Sequence, residues 1–473
     1  MTSRNDTISL YDTLRGEVRP LRTRRTGRVD MYVCGPTVYD HPHLGHARSA
    51  LTYDVLRRYL QWRGLKVRHV ANVTDIDDKI IGRARAEGRS ESEVAAEWEA
   101  VYFDAMAALG VLEPHERPRA TEWVEEMVDF VGRIMDAGAA YATPTGVYLR
   151  VGDVDGYGDL VRRDLDDLRA SAGARVEVDE AKEDPLDFAL WKAAKPDEPS
   201  WPSPWGPGRP GWHIECVAMS LGILGDDFDI HGGGNDLVFP HHTNERAEAL
   251  AVGRSFARHW VHNAMLNIEG TKMAKSLGNY RTVVDMLAEH PLNGRAFRLL
   301  VLQTHYRKTM EVNPELMASA RTAVQRLDAG ARRSEASGSG AGSGAGSGTP
   351  LDVVDVDAVG EFRAAMEDDL HTPHAMAVIF ETLNRANAAL DHGDKNAQTL
   401  SDTVVELAGV LGVAVHAGGN GTDADTAIEE LVAQRQAARE ARDWATADAL
   451  RDELSALGVV VEDTPSGPVW HQA

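Results

Sequence analysis

Cysteine is nearly absent from this chain: Cys34 and Cys216 are the only two among 473 residues and lie 182 positions apart. A disulfide framework is therefore excluded, and without an export signal even a single long-range bridge is the less favoured reading. Long apolar runs are missing too. No stretch approaches the roughly 18 consecutive apolar residues of a membrane span, and the polar opening, residues 1–12, lacks the apolar core of a secretory signal. These absences point to a cytoplasmic protein with no membrane partner. Basic charge is in short supply, with 50 Lys and Arg against 73 Asp and Glu for a net charge of −23. A polyanionic partner would have to be met by local basic patches, because no basic field covers the chain as a whole. Aromatics reach only 6%, but 43% of residues are apolar, enough to bury at least one sizeable core. The length suits two to four domains, and disorder throughout is excluded.

The first half alternates β-rich runs with helical patterns, which argues for an α/β unit built on a parallel sheet with crossover helices. The run from Val29 to Cys34 reads as a buried strand stopped by Gly35-Pro36. After a loop, Leu44, Ala47, Leu51, Val55, Tyr59 and Trp62 recur at helical steps, with Gly64 as the stop, and Val67 to Val73 is the next strand. Residues 113–210 have a mixed pattern and read as an insertion. The alternation then resumes with a helix around Cys216, a strand from Asp227 to His231, a glycine loop, a helix from Pro240 and a strand near Trp260 to Ile268. The boundaries expected are 1–112 and 211–265 for the two halves of the sheet domain, 113–210 for the insertion and 266–312 for a loop-bearing region. Beyond them come a helical bundle, 313–415, interrupted by a flexible Gly/Ser connector at 334–350, and a final unit, 424–473.

Four stretches carry chemistry. His43-Leu44-Gly45-His46 opens the first crossover helix at the edge of the sheet, where such folds bind nucleotides. Amides at a helix N-terminus favour phosphate, imidazoles at i and i+3 share a face, and Gly45 lets a flat base approach. The same histidines could equally serve as caps or core residues. Lys272-Met273-Ala274-Lys275-Ser276 offers two lysines in a small-residue loop, suited to neutralising pyrophosphate as it leaves. His231-Gly232-Gly233-Gly234-Asn235-Asp236 reads as a strand delivering a bare backbone loop and then a carboxylate, on which ribose or adenine could lie. Pro240-His241-His242-Thr243-Asn244-Glu245 is expected to start a helix, with His241 and Glu245 at i and i+4 and His242 as a competing ligand. Together with Cys34 and Cys216 these residues could offer two thiolates, an imidazole and a carboxylate to a tetrahedral Zn²⁺. The spacing is not that of a compact finger, so the fold has to bring distant points together.

With these motifs in hand, the sequence resembles the class I aminoacyl-tRNA synthetases and, within them, the cysteinyl-tRNA synthetase family. The resemblance runs from about Leu10 to Ala329 and resumes at Leu351, through Met31-Tyr-Val-Cys-Gly-Pro-Thr-Val-Tyr-Asp40, Asn72-Val-Thr-Asp-Ile-Asp-Asp-Lys79, Trp201-Pro-Ser-Pro-Trp205, Gly211-Trp-His-Ile-Glu-Cys216 and Phe239-Pro-His-His242. It implies a Rossmann-like catalytic domain with an inserted subdomain, a helical bundle and a small C-terminal anticodon-binding unit. It also implies one Zn²⁺ on Cys34, Cys216, His241 and Glu245, which chooses His241 over His242. ATP with Mg²⁺, L-cysteine and tRNA(Cys) become the expected substrates and partners, in a monomer. By the same resemblance His43, His46, Lys272 and Lys275 act on the phosphates, with Gly45, His231, Gly232, Gly234 and Asp236 near the adenylate and Gly35, Thr74 and Trp212 at the amino-acid pocket.

One departure stands out: the family loop usually has serine where this chain has Ala274, for which slower but retained activation is expected. In the final unit Arg435, Arg439 and Arg442 are expected to share one helix face, followed by Trp444. Arginines beside an aromatic suit stacking on unpaired bases, although such a face is equally read as solvated surface. Arg439, Trp444 and Asp448 are the candidate anticodon readers. Rival readings are a cysteine ligase that acylates an amino-sugar, a catalytically weak RNA- or zinc-binding paralogue, and a simple nucleotidyltransferase with a similar histidine motif, which leaves the zinc set and the final third unexplained. The long helical C-terminal third favours tRNA over the amino-sugar.

Overall fold

Val29, Met31 and Tyr32 are almost wholly buried, and the strand they form, Arg28–Val33, lies inside a four-stranded parallel sheet. Strands buried on both faces read as near-continuous apolar runs, and from Val29 to Val33 only Asp30 breaks the run, buried on the guanidinium groups of Arg24 and Arg28. The computed structural model describes residues 7–171, 180–273, 278–336, 354–416, 423–456, 459–464 and 467–472. It divides into two compact units. The first is Met1–Glu289 with Thr304–Val312 and Glu367–Leu370; the second is His290–Gln303, Asn313–Met366 and His371–Ala473.

In the first unit the sheet order is Ala257–Asn263, Phe228–Gly234, Arg28–Val33, Lys66–Ala71. Helix Leu44–Trp62 carries the chain outward from Arg28–Val33 to Lys66–Ala71, and helix Thr243–Ala251 carries it outward the other way, from Phe228–Gly234 to Ala257–Asn263. The two inner strands pair through Met31 with Ile230, Tyr32 with His231 and Val33 with Gly232. They flank a topological switch point, whose crevice beyond the carboxyl ends of the strands is where such sheets bind ligands. An antiparallel sheet of Ala140–Thr143, Gly146–Leu149, Phe188–Ala193 and Gly208–Pro210 occupies the inserted stretch.

The second unit is helical, with Asn293–Leu302, Pro314–Ser334, Val356–Glu367 up to Met366, Thr372–His392 and Ala397–Val410. Helices Asp423–Glu440 and Trp444–Ala456 and the hairpin Val459–Thr464 with Gly467–Gln472 complete it. Most of the expected Gly/Ser connector, 337–350, lies outside the described residues.

Three local expectations are corrected. The triple glycine is not a loop: Gly232, Gly233 and Gly234 continue their strand and pair with Val261, His262 and Asn263. Tyr53 explains the bare backbone, because a Cβ on Gly232 would lie 2.4 Å from its ring, and its hydroxyl accepts from the Gly233 N–H at 2.6 Å. The helix expected from Pro240 starts only at Thr243, after an irregular turn in which Phe239 is extended (φ −138°, ψ 130°). A residue preceding proline is pushed away from helical backbone, which delays the start. The strand expected over Trp260 to Ile268 is two, and the second, Leu266–Ile268, belongs to a different sheet with Thr271–Lys272 and Met310–Val312.

Candidate active site

Beyond the ends of the inner strands lies a cavity of about 430 Å³. Cys34, Gly35, His43, Gly45, His46, Trp212, Gly234, Asp236 and Lys272 line it, whereas Thr74, His231 and Gly232 do not. Lys275 and Ala274 lie outside the described residues.

His43 and His46 are both caps and cavity residues. His43 is the N-cap of helix Leu44–Trp62, its Nδ1 accepting from the Gly45 N–H (3.0 Å) and the His46 N–H (3.3 Å). His46 reciprocates, its Nδ1 accepting from the His43 N–H at 3.3 Å. The two rings are stacked, 3.6 Å between centroids. A ring nitrogen that accepts from an amide carries no proton, so the hydrogen-bond pattern assigns the remaining proton of each neutral ring to Nε2. Burial, then the neighbouring His43 and Lys79, hold the His46 pKa well below the ordinary imidazole value. Gly45 permits this packing: a Cβ there would lie 2.8 Å from Cε1 and 2.9 Å from Nδ1 of His43.

Gly35 follows the Arg28–Val33 strand by two residues, and a Cβ on it would lie 1.7 Å from the Asn72 carbonyl oxygen. Its N–H donates to Asn72 Oδ1 at 2.8 Å. On the same helix as His43, the buried Arg48 donates to the carbonyls of Met265, Tyr306 (3.3 Å) and Lys308. That contact ties the segment leading to Lys272 to the helix carrying the histidines.

Beside the cavity the two cysteines meet. Cys34 Sγ lies 3.7 Å from Cys216 Sγ, 3.5 Å from His241 Nε2 and 3.4 Å from Glu245 Oε1, and His241 Nε2 lies 3.0 Å from Glu245 Oε1. Tetrahedral zinc bonds of about 2.3 Å to sulfur and about 2.1 Å to nitrogen or oxygen imply donor separations of about 3.8 Å for S···S, about 3.6 Å for S···N or S···O and about 3.4 Å for N···O. The three separations from Cys34 follow these edges to within about 0.2 Å and the N···O separation is about 0.4 Å shorter, so the donors suit such an ion. A second grouping, Cys34 with His231, His242 and Glu245, shares two members. Its Cys34–His231 and His242–Glu245 separations are longer, 3.9 Å each.

The histidine at the centre of the first grouping is held from behind. His213 Nδ1 is 2.9 Å from His241 Nδ1, and the Trp212 ring stacks on His241 at 4.1 Å. Such outer partners fix which nitrogen faces a metal. Burial pushes the Cys34 thiol well above its ordinary pKa and the Cys216 thiol up to about 11, and holds the His241 imidazole well below its usual value. A divalent cation among these donors would reverse the preference of the thiols.

Other expected residues fall elsewhere. His231 is fully buried with its Nε2 2.9 Å from Glu245 Oε2, so it neighbours the metal-type cluster rather than the cavity. Gly232 packs against Tyr53. Thr74 is buried and donates to Glu215 Oε2 at 2.8 Å, while Asn72, which the motif reading left without a task, reaches the cavity. The three arginines do not form one face: helix Asp423–Glu440 ends before Arg442, which has φ +58°, and Arg435 is 7% exposed. Trp444 is 60% exposed, Arg439 is partly buried, and Asp448 pairs with Arg451 at 3.0 Å.

Comparison with known proteins bears on this arrangement. Residues 20–322 match the model of the tRNA synthetases class I (C) catalytic domain, 361–415 that of the DALR domain and 422–470 that of the Cysteinyl-tRNA ligase anticodon binding domain. The cysteine–tRNA ligase of Synechococcus elongatus is 46% identical over 98% of both chains. That of Thioalkalivibrio sulfidiphilus is 45% identical over 98% of this chain and all of its own. Among solved structures, the Mycobacterium tuberculosis methionyl-tRNA synthetase in complex with methionyl-adenylate aligns with TM-score 0.57 at 15% identity, over 81% of this chain and 89% of that one, a likeness of fold. With a catalytic-domain match spanning most of the chain and full-length relatives at such identity, this chain belongs to the cysteine–tRNA ligase family of class I aminoacyl-tRNA synthetases.

Proposed function

We propose that this enzyme activates L-cysteine with ATP to give cysteinyl-adenylate and pyrophosphate, and then transfers the cysteinyl group to the terminal ribose of tRNA(Cys). The observation that carries the reading is the convergence of Cys34, Cys216, His241 and Glu245, with donor separations of 3.0 to 3.7 Å, beside a cavity lined by His43 and His46. These four residues would hold a Zn²⁺ ion. Bound there, the ion would supply a soft Lewis acid that favours a substrate thiolate over a hydroxyl, which suits selection of cysteine against serine.

The chain's own groups do the remaining work. The first step is in-line attack of the cysteine carboxylate on the α-phosphate, and no protein nucleophile is needed. The Nε2–H groups of His43 and His46 donate to the phosphate oxygens on which charge develops. Both rings are held by helix amides, so the donors need no reorganisation. Lys272, with Lys275 three residues further along the sequence, neutralises the departing pyrophosphate, whose Mg²⁺ arrives with the nucleotide. Asp236 and Gly234 suit the ribose and adenine side of the cavity, and Gly35 and Trp212 the amino-acid side. Residues 424–473 would read the anticodon, with Trp444 as the stacking platform and Arg439 and Asp448 beside it. We place the enzyme in the cytoplasm, as a monomer. An amino-sugar acceptor would leave the matched anticodon-binding region without a task.

Cysteine-dependent exchange of pyrophosphate into ATP, measured against serine, together with elemental analysis and charging of tRNA(Cys), tests this. Expected are about one zinc per chain, exchange with cysteine only and label on tRNA. Faithful charging by metal-free protein would refute the metal reading, and absence of exchange would refute the activity.

A further inference from the structure

Lys79 belongs to neither the histidine nor the lysine motif, yet its side chain lines the same cavity as His43, His46 and Lys272. It stands in the first turn of helix Asp78–Glu87. Its surroundings orient its charge without cancelling it. The ammonium lies 5.1 Å from the centre of the Tyr39 ring, a contact that steers a cation while leaving it able to take an anion. The carboxylates next to it in sequence are engaged elsewhere: Asp77 caps the helix by accepting from the Lys79 backbone N–H at 2.9 Å, and Asp78 pairs with Lys192 and Arg209. Among the described residues Lys79 itself makes no ion pair.

The Tyr39 wall is fixed by the same helix. One turn after Lys79, Arg83 Nη1 donates to the Tyr39 carbonyl at 2.7 Å and to Asp40 Oδ1 at 3.1 Å, and its guanidinium lies 4.2 Å from the centre of the Trp98 ring. Trp98 in turn meets His41 edge-on at 4.7 Å. The loop between the Arg28–Val33 strand and His43 is thus clamped to the helix that carries Lys79. Lys79 is exposed to solvent, has no carboxylate partner among the described residues, and lines a cavity whose histidines are neutral donors; a cation so placed is complementary to a polyanion.

We propose that Lys79 is an additional phosphate-binding residue, which contacts the triphosphate of the bound nucleotide and holds the pyrophosphate as it departs. This rests on the reading of the cavity as a site of ATP-dependent activation. Lys79 acts through charge and hydrogen bonds alone and forms no bond to the substrate. Its partner is the phosphate chain rather than the base, because an ammonium is a point charge with three donors and no flat face.

The test uses the full chain in cysteine-dependent ATP–pyrophosphate exchange, titrated with ATP at low and moderate salt, for wild type, Lys79→Ala and Lys79→Arg. Expected for Lys79→Ala are a fall of about 10- to 100-fold in kcat/KM for ATP, a shallower salt dependence and an unchanged Tm. Lys79→Arg should recover most of the loss. Unaltered exchange in Lys79→Ala overturns the proposal. A fall in tRNA charging with normal exchange also overturns it, assigning the cation to the acceptor end. A loss accompanied by a lowered Tm and no recovery by arginine does so too, since it marks a structural residue. If wild type itself shows no exchange, the activity reading fails, and the inference falls with it.

Discussion

Replacing Gly35 with alanine would put a methyl group 1.7 Å from the carbonyl oxygen of Asn72 and 2.8 Å from its carbonyl carbon. Non-bonded carbon and oxygen settle at about 3.3 Å even in close backbone contacts, so one main chain has to retreat by about 1.5 Å. No flexible tip is available to give way. Gly35 N–H donates to Asn72 Oδ1 at 2.8 Å, and Asn72 Nδ2 donates to Thr74 Oγ1 at 3.3 Å, so the retreat disturbs both. Overpacking an interior costs about 1–3 kcal/mol, and a backbone clash belongs at the upper end, about 3 kcal/mol. At about 2–4 °C per kcal/mol for a unit of this size, calorimetry should show Tm lower by about 6–12 °C. Because Gly35 follows Cys34, elemental analysis should also show depleted metal. Gly45→Ala is the contrast. Its methyl group would press on the His43 imidazole, at 2.8 and 2.9 Å, a side chain able to swing aside, and would touch Met273 Cε at an ordinary 3.9 Å. Tm should then stay within about 2 °C while exchange falls by at least about 10-fold, as one phosphate donor is misplaced. A Gly35→Ala protein with wild-type Tm and metal content would refute the reasoning, as would a Gly45→Ala protein less stable than it.

Cys216→Ser should retain metal at least about 100-fold more weakly in competition with a chromophoric chelator; full retention would exclude Cys216 as a ligand. Acidification should destabilise the first unit. His69, His213 and His262 are buried with their pKa pushed down to about 3, by burial first, and so fold neutral. The unfolded chain takes up protons near pH 6.5, so stability is intact above that value and is lost as pH falls toward about 3. The loss is of order 1 kcal/mol per pH unit for each ring. Tm measured from pH 7.5 to 5 checks the sign, and a rise on acidification would contradict it. Trp444→Ala should lower kcat/KM for tRNA charging about 10-fold and leave exchange unchanged, since the ring is exposed and far along the chain from the histidines. Loss of exchange in that variant would count against an anticodon role.

Much of the sheet was legible because apolar residues recur with helical or strand period around short stops: Leu44 to Trp62 is one helix and Gly64 has φ +81°. The juxtaposition of His241 and Glu245 was also legible, although the helix starts later than expected, since the turn before it still leaves their side chains 3.0 Å apart. What the sequence did not disclose depends on distant contacts. Nothing local says that Tyr53 fills the space beside Gly232, turning a suspected loop into a strand. Nothing local places His231 against Glu245, or turns Asp78 away from Lys79 toward Lys192 and Arg209, residues 114 and 131 positions away. The arginine face failed for a local reason, since the helix stops before Arg442.

The reciprocal cap at His43 and His46 has a kinetic corollary. Since amides of the opening turn consume one nitrogen on each ring, winding that turn and orienting the proposed phosphate donors are a single event, with no separate protonation equilibrium to satisfy. Fraying there would be felt as mis-tautomerised imidazoles before any change in overall structure could be detected, so heat or mild denaturant should silence adenylate formation ahead of global unfolding.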